Sequence, residues 1–187
     1  MKKSWTLLVL PLVAGCLSAT TPDVAHWPME YVGEKQSAAS PKFGIGRVSQ
    51  VIVRTPYNVE GLVVLRADGT AEVDAYNEYV ASPVGLLKGV VFDAMEASGR
   101  FSTVVNASSS VVSDTSVEVL VTRLALDCRN EGERKAVAAL VVRILKNGEI
   151  VGFEKGEGES DAADGKYGAA FSRAVSSALS AAFGQLD

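Results

Sequence analysis

The chain has 187 residues, of which 48% are hydrophobic and 21% charged, enough apolar material for one domain with a sizeable core. Its formal charge is −4, and removing the first fifteen residues, which hold two lysines and no acids, takes it to −6. That balance excludes a nucleic-acid partner of the ordinary kind, which needs lysine and arginine to neutralise phosphates. One histidine, His26, and two cysteines, Cys16 and Cys128, exclude a Cys/His zinc cluster and a disulfide framework.

Met1-Lys2-Lys3 supplies a positive leader, and Trp5 to Val13 is an apolar run broken only by Thr6 and Pro11. The run is too short to span a bilayer, which takes about twenty apolar residues, and it fits the core of an export signal. Leu12-Val13-Ala14-Gly15-Cys16 then reads as a lipobox, with small residues around the scissile Gly15–Cys16 bond and a thiol to take the diacylglycerol. The expected organisation is a signal peptide over 1–15, a lipidated tether over 16–26 and one domain over 27–187. Acyl chains contribute about 0.8 kcal/mol per buried methylene, so several of them on Cys16 make a durable membrane anchor. Leu17 stands where enterobacterial sorting reserves aspartate for inner-membrane retention, and its presence predicts the periplasmic face of the outer membrane.

Within the domain, an early strand over about Arg47 to Arg54 is rich in β-branched residues and stops at Thr55-Pro56. Asp68-Gly69 separates Gly61–Arg66 from the alternating run Thr70–Tyr76, which predicts a hairpin with a type I′ turn. Ser82-Pro83 followed by Leu86, Leu87, Val90, Val91, Ala94 and Met95 at helical spacing predicts a helix that ends at Gly99. Phe101–Val105 is the next strand, and the helix before it acts as a crossover that sets it parallel to the first. Val117–Cys128, Lys135–Lys146 and Glu149–Lys155, joined at Asn130–Glu133 and Asn147-Gly148, predict a three-stranded meander. In its middle strand Ala138, Leu140, Val142 and Ile144 share one face and Arg143 the other. A second helix runs from about Lys166 to Phe183, with Asp164 as its cap and Gly184 just past its end. The fold class is therefore α+β (α/β): one mixed, mostly antiparallel sheet with two helices packed against it.

Chemistry-bearing motifs are few. The sequence has no G-x-S-x-G, and Gly44-Ile45-Gly46 is not completed by a third glycine, so neither a nucleophile elbow nor a dinucleotide loop is supported. A triad would have to use His26, close to the processing site, and Ser108-Ser109-Ser110 reads as a loop. The acids Glu154, Glu157, Glu159, Asp161 and Asp164 lack the order of a calcium loop, and Gly156 and Gly158 among them point to a solvated strand end. Cys128 reads as a reduced thiol. We expect no enzyme, no metal and no cofactor. Tyr57, Tyr76 and Tyr79 cluster around the hairpin and the helix entrance, and read either as packing or as a contact surface for a partner or an acyl chain.

Thr55-Pro56-Tyr57, Gly61–Arg66, Asp74–Pro83, the leucine-bearing helix and Ser98-Gly99-Arg100-Phe101-Ser102-Thr103-Val104 together resemble the ABC-type transport auxiliary lipoproteins. The resemblance covers about residues 48 to 105, with Tyr79 standing where that family usually has tryptophan. It implies an accessory role beside an ABC permease and ATPase and an inner-membrane protein with MCE domains, moving phospholipid between the two membranes. It also implies a homo-oligomer. An outer-membrane assembly or secretion lipoprotein, or an activator of cell-wall synthases, shares the same anchor and element order and is the alternative.

Overall fold

Residue spacing and end signals fix the first helix, α1 (Pro83–Ser98), at both ends. Ser82 Oγ accepts a hydrogen bond from the Gly85 amide at 3.3 Å, Pro83 takes the first turn where no amide is needed, and Gly99 closes the helix in the left-handed region at φ 63°. Leu87, Val90, Val91, Ala94 and Met95 are buried along one stripe, and Lys88, Asp93 and Glu96 are exposed off it. The structure, a computed structural model, describes residues 23–36 and 41–186. The signal peptide and Cys16 lie outside the described residues.

The strands are β1 (Ala25–Trp27), β2 (Phe43–Val53), β3 (Gly61–Arg66), β4 (Ala71–Tyr79), β5 (Phe101–Val105), β6 (Thr115–Cys128), β7 (Lys135–Lys146) and β8 (Glu149–Asp161). They form one sheet in the order β1-β4-β3-β6-β2-β5, with β7 on the other edge of β6 and β8 beyond it. Long strand β6 organises the whole: β2 pairs parallel with its first half, β3 parallel with its last residues, and β7 antiparallel along its full length. The crossover through α1 sets β5 parallel to β2, with Phe43 level with Phe101, as the sequence predicts. The result is a single α+β domain with a mixed sheet.

Helix α2 (Tyr167–Gly184) packs on β7 and β8 and touches α1, so both helices bury into one core with Leu62, Val64, Val117, Leu124, Leu140 and Ile144. Within β7, Ala138, Leu140, Val142 and Ile144 face that core and Arg143 does not, as a period of two requires. Gly184 is the last helical residue rather than the one after it, and Lys166 is the N-cap, with Asp164 Oδ1 accepting the Lys166 amide one step earlier.

Several expectations are corrected. Asp68-Gly69 is not a type I′ pair: only Gly69 is left-handed, at φ 85°, and the Gly69 amide donates to Arg66 O while the Arg66 amide donates to Thr70 O. This is a three-residue loop with a glycine bulge, held by Asp68 Oδ1, which accepts from the Thr70 amide and hydroxyl. The type I′ geometry belongs to Asn147-Gly148, with φ of 52° and 85°. Strand β2 starts at Phe43, four residues before the expected point, because Phe43, Ile45 and Gly46 pair with β5; at Gly46 the Phe101 ring lies so close that a Cβ would meet it at 2.5 Å. Strand β1 begins at Ala25, inside the stretch read as tether, because Ala25 to Trp27 pair in parallel with Asn77 to Tyr79.

The largest correction concerns the acidic run. It is strand as far as Asp161, and Gly156 and Gly158 are not a solvated end. A Cβ on Gly156 would lie 1.9 Å from the Ala178 carbonyl oxygen, and one on Gly158 would lie 2.1 Å from that of Ala174. The glycines let the backbone of α2 sit directly on β8, which also explains the alanines of that helix. The serines of α2 have a separate task. Ser172, Ser176 and Ser180, four residues apart, bond the extended segment that runs along the helix: Ser172 Oγ accepts the Glu30 amide at 3.0 Å, Ser176 Oγ accepts the Val32 amide at 2.9 Å, and the Ser180 and Tyr31 hydroxyls lie 3.0 Å apart.

Candidate functional site: the open face of the sheet

Both helices cover the same face, so among the described residues no helix lies over the other face of the sheet. Strand β7 is nevertheless apolar at both parities, from Ala136 to Val142, the pattern of a strand buried on both sides. Ladder register lays the exposed side out in rows. Ile52 stands opposite Leu120, Leu120 opposite Val141, and Val141 opposite Lys155; one row on, Gln50, Glu118, Arg143 and Phe153 are aligned in the same way. Ile52 is 45% exposed and Phe153 48%, while Leu120 and Val141 are half-buried. A shallow hollow of about 450 Å³ lies here, with Leu120, Val141 and Phe153 at its floor and Arg54, Arg143, Lys155 and Glu157 around it. Three of those four charges are cationic on a chain of net charge −4. The Arg143 guanidinium lies 3.9 Å from a Glu118 carboxylate oxygen, both side chains partly exposed, so it keeps donors free for another partner.

Further along the same face, Val63, Ala125 and Val137 form a small second cluster, and Tyr57 packs half-buried over it. The three tyrosines singled out by the sequence are thereby separated. Tyr57 borders the open face. Tyr76 is 54% exposed on β4, with its amide bonded to Asp74 Oδ1 at 2.8 Å. Tyr79 is 3% exposed and belongs to the core, its ring edge-on to Phe171 at 5.5 Å. As a contact residue for a partner or lipid, Tyr79 is therefore ruled out: it is the last residue of β4, and its ring lies on the face that the helices cover, against Phe171 of α2. Its hydroxyl is buried without a hydrogen-bond partner among the described residues, and desolvation pushes its pKa well above that of an ordinary tyrosine.

Other titratable groups sit where their surroundings explain them. Hydrogen bonds from Arg129 hold the Asp127 carboxyl below the usual carboxylate range, and burial pushes the Cys128 thiol up. His26 is exposed on β1 beside Glu78 in register. Among the described residues no three His, Cys, Asp or Glu side chains come together as a metal site. Strand parity in β7 points to the core through one face only, and the open face does not follow from it. Its signal was the run Val137, Ala139, Val141 on the side opposite the core.

No family model matches the chain, and no curated protein matches it significantly. Solved structures do. Protein XCC0632 from Xanthomonas campestris, of the family described as DUF330, superposes with a TM-score of 0.62 over 86% of this chain and 89% of its own, at 17% identity. A PelC dodecamer from Paraburkholderia phytofirmans matches with a TM-score of 0.44 over 79% of this chain and 93% of its own, at 11% identity. At such identity the first likeness carries the α+β fold alone, and the second is too distant to carry an argument.

Proposed function

We propose that this chain is a lipid-anchored, non-enzymatic accessory component of an ABC/MCE-type intermembrane phospholipid transport system, docking a partner or relaying lipid at the periplasmic face of the outer membrane. The single observation that supports docking is the open sheet face. Four strands present an apolar centre with a mainly cationic rim, on a domain whose helices leave that side bare, and such contiguous patches mark interaction surfaces. The partner fitted by this chemistry presents an apolar patch with acidic residues around it. On this reading it is the MCE-domain protein, and the lipoprotein acts as a homo-oligomer anchored through acylated Cys16. The lipobox of Leu12–Cys16 supports the anchor, and the resemblance over residues 48 to 105 supports the choice of transporter.

The test is co-purification from cells. Leu120→Glu places a charge at the centre of the open face without touching the core. It should abolish recovery of the MCE-domain protein while circular dichroism and thermal unfolding stay close to wild type. Recovery unchanged in this variant contradicts the docking surface. Recovery of only a cell-wall synthase or a secretion component from the wild-type chain moves the function to the assembly lipoproteins. Cys16→Ala should remove labelling by a fatty-acid analogue, and unchanged labelling refutes the anchor.

A further inference from the structure

Helix α1 carries two glycines one turn apart, and they are not equivalent. A Cβ on Gly85 would meet the Ser82 Oγ cap at 3.3 Å, whereas a Cβ on Gly89 would meet nothing within 4 Å. Glycine inside a helix costs about 1 kcal/mol relative to alanine, and no neighbour among the described residues requires it at position 89. Gly89 instead borders a cleft of about 250 Å³ between α1, β2 and the segment after β5, lined also by Val48, Ser49, Lys88, Phe92 and Asn106.

The walls are built. Arg47 donates to the carbonyl oxygens of Ala107 and Ser109, both at 3.2 Å, and to that of Val111, so one guanidinium holds the segment that forms the far side. Val48 is buried and Phe92 half-buried, which gives the cleft an apolar flank. Ser49 uses its hydroxyl proton on Val117 O at 3.0 Å. Lys88 has Val84, Gly85, Val91 and Phe92 at helical spacing, with no carboxylate among them, and it forms no ion pair among the described residues; Lys135, Lys146 and Lys166 each do. The Lys88 ammonium is thus a donor unpaired among the described residues, and it lies with Asn106 beside an apolar wall and a bare stretch of helix.

We propose that this cleft binds the anionic end of an amphiphile, a carboxylate or phosphate head against Lys88 and Asn106 with the first carbons of its chain along Phe92 and Val48. An apolar cavity of about 150 Å³ holds benzene, so the space here takes a head and a short stem rather than a whole phospholipid. Gly89 is the residue that lets the stem lie against the helix backbone. The cleft is on the helix side of the sheet, at the β2–β5 edge, and does not depend on the docking face.

The full chain, held in phosphatidylcholine nanodiscs and isotope-labelled, would be titrated with hexyl phosphate, hexanoate, inorganic phosphate and hexanol while the Gly89 and Phe92 amide signals are followed. Hexyl phosphate or hexanoate should give saturable shifts, and the tighter of the two identifies the source as a phosphate head or a free acyl carboxylate. Inorganic phosphate and hexanol should bind at least tenfold more weakly. Lys88→Glu should weaken binding at least tenfold, and Gly89→Leu, which fills the cleft at a position open to solvent, should abolish it with thermal unfolding no lower than wild type. Equal binding of inorganic phosphate, equal binding of hexanol, or undiminished binding to Gly89→Leu would each overturn the assignment. Because Leu120→Glu leaves this cleft intact, loss of partner recovery in that variant with ligand binding retained separates the two proposals.

Discussion

Tyr79→Phe should make the protein more stable, which is unusual for a core substitution. The tyrosine ring is packed against Phe171, and its buried hydroxyl finds no hydrogen-bond partner among the described residues. Leaving a buried hydroxyl unpaired costs about 1–3 kcal/mol, and removing one oxygen from the core gives back part of that in lost contacts. A net gain of about 1 kcal/mol is expected, which for a domain of this size raises Tm by about 2–4 °C. The pH dependence supplies a second, independent sign. Burial raises the folded-state pKa of Tyr79 well above 10, so above that pH the unfolded chain releases a proton that the folded chain keeps. Stability of the wild type therefore falls as pH rises past the ordinary tyrosine value, by up to about 1.4 kcal/mol per pH unit from this residue, and Tyr79→Phe removes that slope. Urea denaturation followed by circular dichroism at pH 7 and pH 11 measures both. If Tyr79→Phe is destabilised by 1 kcal/mol or more at pH 7, or its advantage does not grow at pH 11, the hydroxyl is not unpaired and the packing argument fails.

Gly156→Ala should be destabilising by about 1–3 kcal/mol or more in urea denaturation, because its Cβ falls on the Ala178 carbonyl and α2 must shift away from β8. Gly89→Ala, with open space around it, should instead stabilise by about 0.5–1 kcal/mol in the same assay. Leu87→Asp places an unpaired charge at a site 1% exposed and should unfold the domain or lower its Tm severely, whereas Lys88→Asp should be nearly neutral; equal melting of the two would refute the burial of that stripe. Cys128 should react with iodoacetamide more slowly than a model thiol at pH 8, since its raised pKa keeps it protonated, and unfolding in urea should restore the ordinary rate.

How far the sequence is legible depends on whether a feature is local. The ends of α1 are set by Ser82, Pro83 and Gly99 through bonds within one turn, so sequence reading places them to the residue. The meander of β6, β7 and β8 follows from strand alternation and short turns, and its pairing is as expected. Features that depend on what lies across space are different. Gly156 and Gly158 look like a solvated strand end until α2 is laid on them, and the serines of α2 suggest only close packing on the sheet until the segment around Glu30 and Val32 is laid along Ser172 and Ser176. Tyr79 resembles Tyr76 as an aromatic near a helix entrance; only the packing of α2, a long-range contact that sets Phe171 against Tyr79, fixes which of the two is buried. The open face is of the same kind, because nothing in β7 alone says that both helices choose one side.

The central claim is that the bare side of the sheet is where the partner sits, and a photo-crosslinker scan in living cells tests it most directly. Crosslinking residues would be placed at Ile52, Leu120 and Phe153 on the open face, and at Lys88 and Glu96 on the exposed side of α1 as the comparison. The account predicts capture of the MCE-domain protein from the first three positions and not from the two on the helix. Capture of that protein from Lys88 and Glu96 with none from Ile52, Leu120 or Phe153 would contradict it.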